Sequence, residues 1–143
     1  MGGYGAIKFG LKYPGMFSIV GSFSGALNAT SPEAKNIAPT WKELIDSLAS
    51  VYGQEDSQTR KDNDIFRLLS DMSAEKARSL PFIYLDCGTE DTLINPNRAF
   101  DAILIEKKVP HEFRELPGKH EWPYWDQEVQ EFLRVARRQG FGK

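Results

Sequence analysis

The chain has 143 residues, of which 41% are hydrophobic, so it can form one domain of ordinary size around a packed core. Its formal net charge of −2 gives no reason to expect a nucleic acid or an anionic membrane as a partner. The single cysteine, Cys87, excludes an internal disulfide, and because neither a long apolar run nor a secretion leader is visible we expect a cytoplasmic location.

The first two elements are a predicted helix and a predicted strand. Apolar side chains recur on one face of residues 2–13, at Tyr4, Ile7, Phe9, Leu11 and Tyr13. Four glycines in this stretch each weaken a helix by roughly 1 kcal/mol relative to alanine. We therefore expect its backbone to approach a neighbouring element closely. The β-rich run 17–23 is predicted to be a buried strand, which Ser24 and Gly25 close.

Residues 26–80 are the least regular part of the chain. Helical spacing of apolar groups recurs over 41–52 and again over 62–72, with a polar stretch at 53–63. We interpret 26–80 as a helical, cap-like insertion within a single domain, 1–143.

Strands and helices alternate in the last part of the chain. The run 81–87 predicts a strand, and 111–116 predicts another. Between them, Asn95 is expected to cap a helix that has Pro96 in its first turn. A final amphipathic helix is predicted over 124–138. This order predicts an α/β fold with a mostly parallel sheet, and a sheet of only three such strands looks like the C-terminal half of a larger one.

Polar residues follow two of the predicted strands. Glu90 and Asp91 come after the strand that ends near Cys87, and His120 follows the last strand. In open parallel sheets functional residues collect beyond the carboxyl ends of strands. An acyl-transfer triad needs a nucleophile, a histidine that accepts its proton, and a carboxylate that orients the histidine. Glu90 and Asp91 compete as the acid, and Asp86 could instead be a polar residue within the strand.

The chain resembles the C-terminal portion of the putative esterase family of α/β-hydrolases, which includes esterase D (S-formylglutathione hydrolase) and related bacterial esterases. The stretches that carry the resemblance are 1–6 (MGGYGA), 24–26 (SGA), 88–91 (GTED), 117–122 (PGKHEW) and 124–126 (YWD). The resemblance implies an ester or thioester hydrolase without a cofactor, in which Asp91 is the triad acid and His120 the triad base. It also implies that the backbone N–H of Met1 helps to form the oxyanion hole.

The nucleophilic serine of that family is expected one position before Met1, because Gly2 matches the closing glycine of the G-x-S-x-G motif. No complete motif of this kind occurs in the chain, and neither Ser22 nor Ser24 has glycine at both flanking positions. The 143 residues alone are therefore expected to be inactive. A start codon assigned too far downstream is the favoured reason for the missing half.

The alternative is a truncated, inactive hydrolase-like chain that serves as a binding or oligomerisation module through the edge of its first strand. The expected partners are accordingly a small ester or thioester substrate and, for the edge, a second copy or the missing N-terminal half.

Several other side chains have two possible roles. Trp122 and Trp125 could line an acyl pocket and bind substrate, or could pack the last helix. Cys87 lies in a predicted strand and is expected to be a core residue. His111 is expected to be structural. No metal motif fits the spacing of the remaining candidate ligands, His111, Glu112, His120 and Glu121.

Overall fold

A computed structural model of the chain describes residues 1–31 and 42–140. Its elements, apart from a 3-10 turn at Pro14–Met16, follow in chain order: α1 (Gly2–Lys12), β1 (Ile19–Phe23), α2 (Lys42–Tyr52), α3 (Gln58–Lys61), α4 (Ile65–Ser70), α5 (Ala74–Arg78), β2 (Phe82–Gly88), α6 (Ile94–Glu106), β3 (His111–Leu116) and α7 (Trp122–Arg138). The predicted alternation of strands and helices is confirmed.

The three strands form one parallel sheet in the order β1-β2-β3. Ile19 lies opposite Phe82, and Ile83 lies opposite His111. In the part of the chain that is described, β1 pairs with β2 alone, so its other edge carries no strand. An α/β fold with a mostly parallel sheet is what the sequence predicts, and both described strand pairs are parallel.

Helices cover both faces of the sheet. Ile83 and Leu85 belong to a core that β2 shares with α1, α4 and α6. Tyr84 points to the opposite face, where its ring packs against Phe132 of α7. A Cβ atom at Gly21 would lie 2.9 Å from the Phe132 ring, so a glycine in β1 lets α7 sit close to the sheet.

The expected close approach of the first helix is present at two of its four glycines. A Cβ at Gly10 would lie 3.2 Å from the methyl groups of Val20, and one at Gly3 would lie 2.3 Å from Ser22 Oγ. Gly2 and Gly5 face open space. The glycines therefore serve packing against β1 at Gly3 and Gly10 only.

Two helix predictions need correction. The helix predicted over 62–72 is shorter and spans Ile65–Ser70, because Asp64 lies outside it and caps its start by accepting hydrogen bonds from the backbone of Phe66 and Arg67. Asn95 does not cap α6, which begins one residue earlier, at Ile94.

The helix predicted from 41 begins at Lys42; Trp41 and the side chains of Leu44 and Ile45 lie outside what the structure describes. The cap-like role of 26–80 stays a prediction. Within the described ranges, no helix has the length and apolar character required to cross a membrane.

Candidate active site

The loops after β2 and β3 meet at the carboxyl edge of the sheet, since parallel strands end on the same side. The backbone N–H of Thr89 donates to the carbonyl of Leu116 at 2.9 Å. The N–H of Glu90 donates to the carbonyl of Gly118 at 3.0 Å. These two bonds hold the loop that carries Asp91 against the loop that leads to His120.

Glycine is required where the two loops touch. A Cβ at Gly88 would lie 2.3 Å from the carbonyl oxygen of Gly118. A Cβ at Gly118 would meet the ring of Tyr124 at the same distance, 2.3 Å. Gly88 thus permits the contact between the two loops, and Gly118 permits the packing of Tyr124 of α7 against the loop after β3.

Asp91 and His120 are brought together by these loops. Asp91 Oδ2 lies 2.9 Å from His120 Nδ1, and the carboxylate is fully buried while the imidazole is 32% exposed. Asp91 Oδ1 accepts a hydrogen bond from the backbone N–H of Leu93 at 2.9 Å. Both carboxylate oxygens of Asp91 therefore have a partner: Oδ1 accepts from the backbone, and Oδ2 contacts the imidazole of His120.

The structure separates the two candidate acids. Glu90 is exposed and lies 3.9 Å from the ammonium group of Lys119, whereas Asp91 faces the imidazole. The third acid, Asp86, is buried within β2 on the face covered by α7. The arrangement favours Asp91 as the partner of His120.

Two tryptophans extend from His120 towards solvent. The Trp125 ring meets the imidazole edge to face, with centroids 4.7 Å apart and planes at 86°. Trp122 meets Trp125 in the same way at 5.4 Å and is 79% exposed. Trp125 therefore touches the candidate base directly, and Trp122 lies further out.

The start of α1 lies near the turn that follows β1. Met1 precedes the first turn of α1, and its carbonyl accepts a hydrogen bond from Gly5 at 3.0 Å. A Cβ at Gly3 would be 2.9 Å from the Cα of Gly25, so the helix touches the turn. The buried amide of Asn97 donates to the carbonyl of Gly25 at 2.9 Å and links this turn to α6, which follows Asp91.

A buried polar cluster between β2 and α7 was not expected from the sequence. Burial first, and then the nearby Glu128, raises the pKa of Asp86 from 3.8 to about 8 against the opposite effects of the Tyr124 hydroxyl and Arg114. Neither Asp86 oxygen has a hydrogen bond of normal geometry to a described residue. Arg114 Nε lies 3.5 Å from Glu128 Oε2. A charged residue in the middle of a buried strand was the only sequence signal for this cluster.

The other candidates lie in separate surroundings. His111 is at the opposite end of β3 from His120, where its ring contacts the Val109 carbonyl at 2.7 Å and Asp101 at 3.0 Å. Burial raises the pKa of the Cys87 thiol to about 12, which keeps it protonated and unreactive. Across 1–31 and 42–140, no three acidic, histidine or cysteine side chains are placed to hold a metal ion.

Ser22 and Ser24 are both buried, and neither hydroxyl has a hydrogen-bond partner of normal geometry among the residues described.

Comparisons with known proteins agree with this architecture. The chain is 33% identical over 135 residues to an acetyl esterase from Caldicellulosiruptor saccharolyticus, a match that covers 90% of this chain and 48% of the relative. Its fold superposes on an S-formylglutathione hydrolase from Staphylococcus aureus with a TM-score of 0.70 at 30% identity, over 94% of this chain and 50% of that one. A ferulic acid esterase gives a TM-score of 0.72 at 26% identity, over 99% and 49%.

The chain thus spans about half the length of these relatives. The family model described as "Putative esterase" matches residues 1–135. The chain belongs to this esterase family.

Proposed function

We propose that the chain supplies the acid and the base of a carboxylic ester or thioester hydrolase of the Ser-Asp-His type. The observation that carries the proposal is the 2.9 Å contact between Asp91 Oδ2 and His120 Nδ1 at the carboxyl edge of the sheet. The nucleophilic serine would lie directly before Met1. The start of α1 and the turn after β1 are in contact, which supports a serine at the same edge as the pair.

The proposed reaction is acyl transfer in two steps. The proton on His120 Nδ1 is held by Asp91, so that Nε2 takes the proton of the serine hydroxyl as its oxygen bonds to the ester carbonyl carbon. The bond to the alcohol or thiol then breaks, and the leaving group receives that proton. Water adds to the acyl-enzyme in the same way and releases the acid. Asp91 orients the imidazole throughout and stabilises the imidazolium.

The backbone nitrogen of Met1 is proposed as one oxyanion donor. It sits at the N-terminus of α1, where the aligned peptide dipoles of eleven residues favour negative charge. In a chain that continues upstream this nitrogen is a peptide N–H directly after the serine. Such a donor is worth about 10²- to 10³-fold in kcat.

The acyl group and the leaving group stay open. The relatives include an acetyl esterase, a ferulic acid esterase and an S-formylglutathione hydrolase. We propose a short acyl ester as the substrate and Trp122 as a substrate-binding side chain, because its ring is exposed two residues after His120. A cytoplasmic location stays a prediction that cell fractionation can test.

The first experiment is the intact mass of the protein made from its own gene in its own cell. A mass on the order of twice 16.2 kDa is expected if a serine-bearing half precedes Met1. A mass near 16.2 kDa would favour the second candidate, an inactive module that pairs through the outer edge of β1. A dimer of such chains in sedimentation would support that module, and a monomer without activity would refute both functions.

The second experiment uses the longer form and an acetyl ester of p-nitrophenol. Asp91→Asn and His120→Ala are each expected to lower kcat by about 10⁴-fold or more. Glu90→Gln is the matched control, because it changes the neighbouring acid that faces Lys119 and not His120. Equal loss in Glu90→Gln and Asp91→Asn, or full activity in His120→Ala, would overturn the assignment.

A further inference from the structure

We infer that Trp125 is a positioning residue for His120, and that Trp122, not Trp125, is the tryptophan available to substrate. The inference rests on the proposed function and refines it. The two residues are three apart in the first turn of α7, yet their surroundings differ.

The Asp91 contact alone does not fix the imidazole plane. One hydrogen bond at Nδ1 restrains one distance, and the two side-chain torsions of His120 can still change together while that distance is kept. The edge-to-face contact with Trp125 at 4.7 Å and 86° adds a second, independent restraint. Together the two contacts define both the position and the tilt of the base.

Trp125 is itself held in place. The Nε1 edge of its indole is closed off from solvent by packing and not by a hydrogen bond of normal geometry to a described residue. The adjacent Tyr124 packs onto Gly118, and Phe132, two turns along the same helix, packs onto Gly21. The indole therefore sits on a helix that is anchored at both the loop and the sheet, as a support for another side chain must be.

Trp122 has the opposite character. It is 79% exposed, and its ring contacts that of Trp125 with centroids 5.4 Å apart. An exposed aromatic ring one contact removed from the base offers an apolar surface to the acyl or leaving group. We assign substrate contact to this residue and not to Trp125, which is only partly exposed and packs on His120.

The first test is the proton NMR spectrum of the 143-residue chain, which needs no activity. The Nδ1–H of His120 that bonds to Asp91 is expected as a low-field resonance, which Asp91→Asn abolishes. Trp125→Leu is expected to broaden or remove this signal, whereas Trp125→Phe, which keeps a ring, and Trp122→Leu keep it. The His111 ring signals and circular dichroism report whether each variant is folded.

Three outcomes would overturn the inference: no low-field signal in the parent chain, an unchanged signal in folded Trp125→Leu, or equal loss in Trp122→Leu. If Trp125→Leu does not fold, Trp125→Met takes its place, since it fills the space without a ring. Because the NMR signal does not depend on hydrolysis, this test can refute the positioning role of Trp125 without refuting the proposed function.

The second test is kinetic and uses the longer form. Trp125→Leu is expected to lower kcat about 10- to 100-fold with little change in KM, because a displaced base slows the chemical step. Trp125→Phe should recover most of that loss. Trp122→Leu should raise KM more than it lowers kcat. The reverse pattern, with KM raised by Trp125→Leu and kcat lowered by Trp122→Leu, would refute the division of roles.

Discussion

Asp86→Asn is expected to stabilise the protein at neutral and alkaline pH. Asp86 is fully buried beside Glu128 and Tyr124, and burial raises its pKa to about 8. At pH 7 the folded protein therefore holds a neutral carboxyl group in this place. Asparagine has nearly the same shape and, like the protonated acid, can donate a hydrogen bond to Glu128, but it never becomes charged.

The sign follows from the direction of the shift. The carboxyl pKa is higher in the folded state, about 8, than in the unfolded state, near 3.8. The stability linked to this group is therefore fully present below pH 3.8 and is lost as pH rises towards 8. The slope is about 1.4 kcal/mol per pH unit, which amounts to roughly 4 kcal/mol by pH 7. This is a large share of the roughly 5–15 kcal/mol that stabilises an ordinary domain.

Urea unfolding followed by circular dichroism between pH 4 and pH 9 measures the effect. The difference in unfolding free energy between Asp86→Asn and the parent chain should be small at pH 4 and should grow to at least about 2 kcal/mol by pH 8. Taking the difference cancels the exposed acids, whose contributions are the same in both proteins. Glu90→Gln is the matched control and should show no such growth. A variant less stable than its parent at pH 8, or a pH-independent difference, would refute the reasoning.

Three further substitutions test the packing that builds the site, each by thermal and urea unfolding. Gly88→Ala places a Cβ 2.3 Å from the Gly118 carbonyl oxygen and should lower the free energy of unfolding by about 3 kcal/mol, because two backbone segments must separate. A loss below about 1 kcal/mol would contradict the loop contact. Gly5→Ala is its counterpart in open space on α1 and should stabilise by about 0.5–1 kcal/mol through helix propensity, so a loss would show a hidden contact. Asn97→Ala removes the buried bond to Gly25 and should cost about 1–3 kcal/mol, and no loss would mean that water replaces the amide.

The sequence located the site because parallel strands end at one edge. If 81–87 and 111–116 are parallel strands, each followed by a helix, then Asp91 and His120 both lie just beyond the same edge of the sheet. The structure shows that their side chains are in contact. The glycines of the first helix could likewise be assigned to close packing, although only Gly3 and Gly10 are used in this way. The catalytic roles of the two residues remain predictions.

The remaining features depend on geometry that periodicity does not encode. Asparagine is a favoured helix-capping residue, yet α6 begins before Asn95, at Ile94. The start lies earlier because the carboxylate of Asp91 accepts a hydrogen bond from the N–H of Leu93. The position of Glu128 beside Asp86 depends on how α7 is rotated about its own axis over the sheet, and no local sequence pattern specifies that rotation. The same rotation puts Trp125 on His120 and leaves Trp122 in solvent, so the two tryptophans could not be told apart from spacing alone.

The contacts that hold the proposed acid–base pair, Asp91 and His120, lie within this chain. The bond from Glu90 to Gly118, the Asp91 bonds to Leu93 and His120, and the Trp125 contact all lie between residues 88 and 125. None of them requires a group from another chain or from a segment before Met1. The half-site is therefore preorganised, and adding a nucleophile should not have to reshape it. For this reason the NMR signature of the Asp91–His120 pair should be the same in the 143-residue chain and in a longer, active form. A signal that forms only in the longer form would mean that the serine-bearing half organises the pair.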